Sequence, residues 1–392
     1  MRSQSLFFLM NVLVVSVYAL SSPATLLAAD SGFEYSMFDG KTLGGWTAEN
    51  GCRAQVVDGT IQLESGDGWL RSDHTYSDFD LHIEWRTLKP MQYDAGVYLR
   101  AGADGAPFPK RGYQTNLKQG REGNIHSLKG AASQGLAKPA GQWNTFDITV
   151  VGQSVSMVIN GTPAYQVDGL SDERGYIGIQ VEVPLGGQFQ FKNIRVSEHR
   201  HQSLFNGADF AGWEGAGAPA EACWRVQDGV LSGLKKKGPW LRSKQRFDDF
   251  NLRLEYQVAA GANSGVYVRV PPDGKHHRDK TSDPAAGFEV QLLDDSAPKH
   301  AHLKEYQYSG SVYDIAGATA HVSRTPGKWN TLELNCRGHH VTSIHNGVRI
   351  VDIDAERRPL LALRQLEGHL GLQNHGGDVN FRKIRVGPAI EE

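Results

Sequence analysis

Apolar and polar residues alternate in several stretches of the chain. Single polar residues separate the apolar ones in 81–85 and again in 252–257, and a period of two is typical of a strand with one buried face. Asn-Gly pairs at 160–161 and 346–347 lie between such stretches and supply the positive φ angles of a tight hairpin turn. The pattern predicts an all-β protein, in which 355–366 is expected to form a loop or a short helix.

The chain carries two copies of one sequence pattern. The string FDGKTLGGW (38–46) returns as FNGADFAGW (205–213), and later pairs keep the same order: WLRS twice, AGVYLR with SGVYVR, GQWNTFDI with GKWNTLEL, and FKNIRV with FRKIRV. We therefore predict two tandem domains, residues 30–198 and 203–392, joined through the short polar run at 197–203. Many short strands with glycine-rich connections favour a β-sandwich or jelly roll in each copy.

The N-terminal residues have the layout of a secretory signal peptide. Arg2 precedes an apolar stretch at 6–20, and the small residues Ala28 and Ala29 follow it. We predict that residues 1–29 are removed on export and that the protein is secreted or periplasmic, with no membrane attachment after cleavage. An uncleaved membrane anchor is the alternative.

The cysteines supply no obvious framework for an exported protein. Cys52, Cys223 and Cys336 form an odd and sparse set. One disulfide with one free thiol and three separate thiols are both compatible with the sequence.

Overall charge argues against polyanionic partners. The chain has 41 Lys and Arg against 43 Asp and Glu, a formal net charge of -2. No broad basic field is therefore available to hold a nucleic acid or an anionic membrane surface. The hydrophobic fraction of 40% is ample for folded cores in a chain of this length.

Motifs of the second copy carry a family resemblance. FNGADFAGW, WRVQDGVL, FNLRLEY, NSGVYVRV, GFEVQLLDD, GKWNTLEL, HNGVRIVD and GHLGLQNHGGDVNFRKIRV occur in that order. Together they resemble the 3-keto-disaccharide hydrolase domain family, over nearly all of both halves. The resemblance implies two tandem concanavalin A-like jelly rolls. It also implies an enzyme that cleaves glycosides whose sugar carries a ketone at carbon 3, working beside a partner oxidoreductase that supplies the oxidised sugar.

Strand alternation indicates which polar residues of the second copy share a face. Glu289 and Gln291 should point away from the core, opposite Val290 and Leu292. The motifs NSGVYVR and GLQNHGG place four more side chains on such faces: Asn263, Arg269, Gln373 and His375. If these faces form the concave side of the sandwich, the residues line one groove. Asp294 breaks this parity and needs a strand end or a bulge to join them.

The implied substrate gives these residues a chemical purpose. A ketone at carbon 3 acidifies the proton on carbon 2, so elimination across C1–C2 followed by hydration would cleave the glycosidic bond. This route needs a base, an acid and an enolate stabiliser. Glu289 and His375 are the candidate pair, with their roles left open, and Arg269 or a bound cation is the candidate stabiliser. No cofactor is required by the sequence, and a divalent metal at Glu289, His375 and Asp294 stays open because the spacing matches no specific signature.

Several residues have a simpler alternative role. Tyr313 and Trp240 are candidates for stacking on a sugar ring, but packing would explain both. Arg269 has the alternative of a cross-strand ion pair with Glu255. A metal-like spacing also occurs in a polar loop, where solvent-facing side chains are the simpler interpretation: His300, His302 and Glu305.

The first copy lacks the candidate acid and imidazole. Gln114 stands at the place of Glu289, and Glu182 stands at the place of His375. Because an amide does not exchange protons near neutral pH, we expect a binding or structural first domain and a catalytic second domain. Glu182 leaves a modified activity of the first domain open. The alternative to an enzyme is a secreted, lectin-like carbohydrate-binding protein.

Overall fold

In the computed structural model, residues 32–183, 188–277 and 283–391 are described. The predicted signal peptide, residues 1–29, lies outside the described residues. The described ranges all belong to one compact unit, Gly32–Glu392.

The first copy of the repeat consists of short strands. In chain order they are β1 (Phe33–Ser36), β2 (Trp46–Glu49), β3 (Arg53–Val57), β4 (Thr60–Ser65), β5 (Asp67–Tyr76), β6 (Phe79–Thr87), β7 (Gly96–Ala101), β8 (Tyr113–Asn116), β9 (Asn144–Val151), β10 (Ser154–Ile159), β11 (Thr162–Asp168), β12 (Gly175–Glu182) and β13 (Phe189–Glu198).

The second copy has an equivalent series. Its strands are β14 (Gln202–Ser203), β15 (Trp213–Gly215), β16 (Trp224–Gln227), β17 (Val230–Gly233), β18 (Leu241–Phe247), β19 (Phe250–Val258), β20 (Asn263–Val270), β21 (Phe288–Leu293), β22 (Asn330–Arg337), β23 (His340–His345), β24 (Val348–Ile353), β25 (Gly368–Leu372) and β26 (Val379–Gly387). Short 3-10 helices occur at Ala220–Ala222, Pro298–His300, Glu305–Gln307 and Pro359–Leu363. Within the described ranges, no helix has the length and apolar character needed to cross a membrane.

Each copy is built from two antiparallel sheets with the same strand order. In the first copy the larger sheet runs β11-β10-β9-β6-β13-β4-β3 with β1 on β13, and the smaller runs β2-β5-β12-β7-β8. In the second copy the larger sheet runs β24-β23-β22-β19-β26-β17-β16 with β14 on β26, and the smaller runs β15-β18-β25-β20-β21. Side chains of both sheets form one main buried core in each copy, and the first copy has an additional small cluster around Trp69 and Tyr98. The prediction of two tandem jelly-roll β-sandwiches is confirmed.

The structure contains the two predicted hairpin turns and a helical segment within the predicted loop or short helix. Asn160 and Gly161 have φ angles of 51° and 78°, and Asn346 and Gly347 have 48° and 75°, so both predicted hairpin turns are confirmed. The predicted loop or short helix contains the 3-10 segment Pro359–Leu363.

Buried charges join the two copies where a polar linker was predicted. Glu198, at the end of β13, contacts Arg253 at 2.8 Å and Arg385 at 2.7 Å. Arg253 also contacts Glu333 at 3.1 Å, and Glu333 contacts His74 of the first copy at 2.8 Å. Each of these five side chains is 7% exposed or less. The copies therefore share a packed and charged interface.

The three cysteines are separate thiols. Cys52, Cys223 and Cys336 are all buried and free in the structure. Burial raises the pKa of the Cys52 and Cys336 thiols to about 12, so these two stay protonated and unreactive at neutral pH.

Candidate functional site

A cavity of about 380 Å³ lies on the face of β20, β21 and β25 that points away from the core. Its volume is within the range of about 300–1,000 Å³ typical of small-ligand sites. Six predicted site residues line it together: Asn263, Glu289, Gln291, Tyr313, Gln373 and His375. Three predicted residues are not among the lining side chains: Arg269, Asp294 and Trp240. Three histidines that no prediction placed here also line it: His276, His277 and His300.

Glu289 occupies the floor of this cavity. It lies on β21 opposite Tyr267 of β20, and its side chain is 3% exposed. A side chain at Gly265 would collide with the Glu289 carboxyl, so glycine on the neighbouring strand gives the carboxyl its space. Burial raises the pKa of Glu289 to about 8, and the negative charge of Asp314 acts in the same direction. Burial therefore favours the protonated form of Glu289 at neutral pH.

His276 contacts the Glu289 carboxyl. Its Nε2 lies 3.2 Å from Glu289 Oε2, and its Nδ1 lies 3.0 Å from the carbonyl oxygen of Gly274. Burial lowers the pKa of His276 to about 4, so the ring is neutral. Because a carbonyl oxygen only accepts, Nδ1 carries the ring hydrogen, and Nε2, which carries none, is the ring atom next to the Glu289 carboxyl. The alternation of side chains along a strand could not predict His276, because this residue lies in the loop between β20 and β21.

His277 and Tyr313 continue a wall of rings along the cavity. His277 Nδ1 lies 2.7 Å from Asp314 Oδ2, and its ring centroid is 4.0 Å from that of His276. The Tyr313 ring packs edge-on at 5.3 Å from His277, and the His276 ring stacks on Tyr267 at 4.7 Å. Rings and polar tips together suit the mixed apolar and hydroxylated faces of a sugar.

Two amide oxygens in the cavity are unsatisfied. Asn263 Oδ1 and Gln373 Oε1 are buried without a hydrogen-bond partner in the described part of the chain. The amide nitrogen of Gln373 donates to the Tyr267 hydroxyl at 3.2 Å. A buried acceptor without a donor is costly, and a ligand hydroxyl would satisfy it.

The loop after β21 differs from the prediction at two positions. Asp294 follows the strand end, but its carboxylate accepts hydrogen bonds from the Gly261 and Ser296 backbone N–H groups at 2.7 and 3.0 Å, so it shapes the loop outside the cavity. The prediction that the His300 side chain faces solvent was wrong. It is 8% exposed, lines the cavity, and donates from Nδ1 to the Asp294 carbonyl oxygen at 2.7 Å.

Arg269 lies outside the predicted groove. Its φ of 49° falls where the register between β20 and β25 shifts, and this bulge turns the side chain away from the groove. The guanidinium donates to the carbonyl oxygens of Asp248 and Gly338, both at 2.6 Å, and to Asp249 at 3.0 Å. The alternative ion pair with Glu255 was also wrong, since Arg269 pairs with Asp249.

Trp240 serves packing in the structure. Its ring meets Tyr267 edge-on at 5.1 Å, and a side chain at Gly371 or Gly274 would collide with it. Trp240 directly precedes β18, and its ring packs against the cavity residue Tyr267 without lining the cavity itself.

Arg269→Lys should destabilise the protein by about 2 kcal/mol, because lysine cannot reproduce three fixed guanidinium bonds. The kcat and KM for a cleaved substrate should stay near the wild-type values. Arg100, with the same φ of 49° in the first copy, provides the matched variant Arg100→Lys. A loss of kcat at unchanged melting temperature in Arg269→Lys would instead return Arg269 to the site.

The equivalent position in the first copy has different side chains. Gln114 lies opposite Tyr98 as Glu289 lies opposite Tyr267. Its amide is hydrogen-bonded to Gln180, which donates to Glu182 at 3.1 Å. Phe108 packs against the Trp69 and Tyr98 cluster there. The first copy therefore has an amide network where the second has its carboxyl and histidine pair.

Two further features of the described residues concern metal binding and a second cavity. No group of three His, Cys, Asp or Glu side chains in the described ranges is arranged to hold a metal ion. A larger cavity, of about 650 Å³, lies between the loop at 37–46 and the second copy. Three of its charged side chains pair with one another, since Glu255 lies 2.6 Å from Arg382 and 2.7 Å from Lys383.

Tandem jelly rolls with an aromatic-walled cavity, a buried carboxyl and several imidazoles suit a protein that acts on or binds carbohydrates. The chain belongs to the family of 3-keto-alpha-glucoside-1,2-lyase-like domains, whose model matches residues 34–197 and again 200–387. The family resemblance found in the sequence is thereby confirmed.

Relatives of known name cover about half of the chain. A 3-keto-disaccharide hydrolase of Bacteroides thetaiotaomicron is 25% identical over 222 residues, which is 47% of this chain and 77% of that protein. A crystal structure from Parabacteroides distasonis, provisionally named a glycosyl hydrolase, is 25% identical with a TM-score of 0.40 and covers 48% of this chain and 98% of that one. A carbohydrate-binding module of Bacillus subtilis is 16% identical with a TM-score of 0.32 and covers 39% and 96%.

Proposed function

We propose that the second copy cleaves 3-keto-glycosides by elimination across C1–C2, followed by hydration of the unsaturated product. The observation that carries the proposal is Glu289, a buried carboxyl held neutral in a cavity of histidines and amides. A carboxyl with a pKa of about 8 can give a proton to a leaving oxygen at neutral pH. The name of the relative from Bacteroides thetaiotaomicron supports this class of substrate.

The ketone explains why a single buried acid suffices. Ordinary glycosidases use two carboxyl groups on either side of the bond, whereas a 3-keto sugar already activates its C2 proton. The enolate formed at C3 needs a positive or hydrogen-bonding partner. Since Arg269 lies elsewhere, Lys237, an exposed cation lining the cavity, is the candidate for this part.

The proposal also assigns the surroundings of the reaction. The substrate must first be oxidised at C3, so a partner oxidoreductase must supply it. The first copy, with its amide network, has a structural or binding role. Export through the predicted signal peptide would place the reaction outside the cytoplasm.

A 3-keto-disaccharide and its unoxidised parent should behave very differently with the pure protein. We expect release of the leaving sugar from the oxidised substrate and none from the parent, measured by chromatography and NMR. Equal turnover of both would refute the elimination. Saturable binding of either sugar without turnover would favour the lectin-like alternative.

A further inference from the structure

We propose that His277, positioned by Asp314, is the base that removes the C2 proton, while Glu289 serves as the acid. This inference rests on the proposed function and completes its chemistry. It replaces the open assignment in which Glu289 and His375 shared the two roles.

The geometry of His277 suits a base. Its Nδ1 is 2.7 Å from Asp314 Oδ2, and the His277 side chain is 48% exposed. In a neutral ring, Nδ1 carries the hydrogen that Asp314 accepts, so Nε2 presents a free lone pair. The ring lines the same cavity as Glu289 and lies beside the ring of His276, with the two centroids 4.0 Å apart.

The other histidines of the cavity are less suited to the role of the base. His276 Nδ1 is hydrogen-bonded to the Gly274 carbonyl oxygen, and its Nε2 lies against the Glu289 carboxyl at 3.2 Å instead of facing open space. His300 is 8% exposed, and its Nδ1 is held by a backbone carbonyl oxygen, which lacks the full negative charge with which Asp314 can stabilise a protonated ring. His375 is exposed, and no carboxylate contact fixes its ring in the described part of the chain. An oriented imidazole is the better base, because a held ring loses less freedom in the transition state.

The proton transfers balance. Nε2 of His277 takes the proton from C2, and the electron pair of that bond forms the C2=C3 enolate. The enolate electrons then form the C1=C2 bond and restore the ketone as the C1–O bond breaks, and Glu289 transfers its proton to the leaving oxygen. Return of a proton from His277 to Glu289 through solvent restores the starting protonation states of both residues.

Proton exchange isolates the base from the acid. A 3-keto-1,5-anhydrohexitol has no leaving group at C1, so in deuterium oxide it reports only removal of the C2 proton, by NMR. Wild-type protein should catalyse this exchange, and His277→Gln should slow it about 100-fold or more. Glu289→Gln should retain exchange but fail to cleave a 3-keto-disaccharide. Added imidazole should partly restore exchange in His277→Ala.

Control variants separate chemistry from structure. His340→Gln removes a similar pair, 2.9 Å from Asp352 and away from the cavity, and should leave exchange unchanged. Asp314→Asn should lower kcat for cleavage at unchanged KM and melting temperature, as expected of a positioning residue. Absent exchange in the wild type, retained exchange in His277→Gln, or loss of exchange only in His375→Gln would overturn the inference. Failure of the proposed function is read separately, from wild-type cleavage of the 3-keto-disaccharide.

Discussion

Replacing Glu289 by glutamine should reduce cleavage of a 3-keto-disaccharide by about 100-fold or more. The amide fits the same space but cannot give a proton to the leaving oxygen. The cavity should remain folded, because the first copy accepts an amide, Gln114, at the equivalent position. Cleavage rates at saturating substrate and melting temperatures would test both statements.

The pH dependence of the wild-type rate provides a second measurement of the same residue. Because Glu289 acts in its protonated form and burial raises its pKa to about 8, the rate should fall as the pH rises through about 8. The alkaline fall should be missing from the residual rate of Glu289→Gln.

Gln114→Ala is the matched control in the first copy. It should leave cleavage near the wild-type rate, because its amide has no acid–base role. If Gln114→Ala abolished cleavage while Glu289→Ala retained it, the working site would lie in the first copy.

Replacing Arg253 by glutamine should destabilise the whole protein by about 3–5 kcal/mol. The guanidinium is 1% exposed, contacts Glu198 and Glu333, and donates to the carbonyl oxygen of Thr75 in the first copy at 2.8 Å. Without it, two buried carboxylates lose their shared partner at the interface between the copies. Chemical denaturation would measure the loss.

A surface pair provides the control for this effect. Arg246 lies 3.3 Å from Glu367, and both side chains are more than half exposed. Arg246→Gln should therefore change stability by less than about 1 kcal/mol. Equal losses in the two variants would show that the buried cluster contributes no more than a solvated ion pair.

A fragment of residues 203–392 should suffer from the same cause. It lacks Glu198, so Arg253 and Arg385 lose a carboxylate that each contacts within 2.8 Å. We expect lower stability than in the full chain, and normal stability of the fragment would contradict the role given to the interface.

Local sequence determined the fold class, the repeat and one face of the site. Asn263, Glu289, Gln291 and Gln373 were placed correctly from alternation alone, because period-two strands bring alternate side chains to the same face. The Asn-Gly turns were equally local, since the required φ angles depend on the turn residues themselves.

Tertiary structure decided the features that depend on residues distant in sequence. His276, His277 and His300 reach the cavity from loops, where no periodicity reports direction. The positive φ at Arg269 reverses the parity that its strand predicted, and distant carbonyl oxygens hold the guanidinium. The neutral state of Glu289 results from burial by several segments, and the charges at the junction acquire their roles only when the two copies pack. Alternation fixes which face a side chain occupies, but burial, bulges and loop paths depend on contacts across the fold.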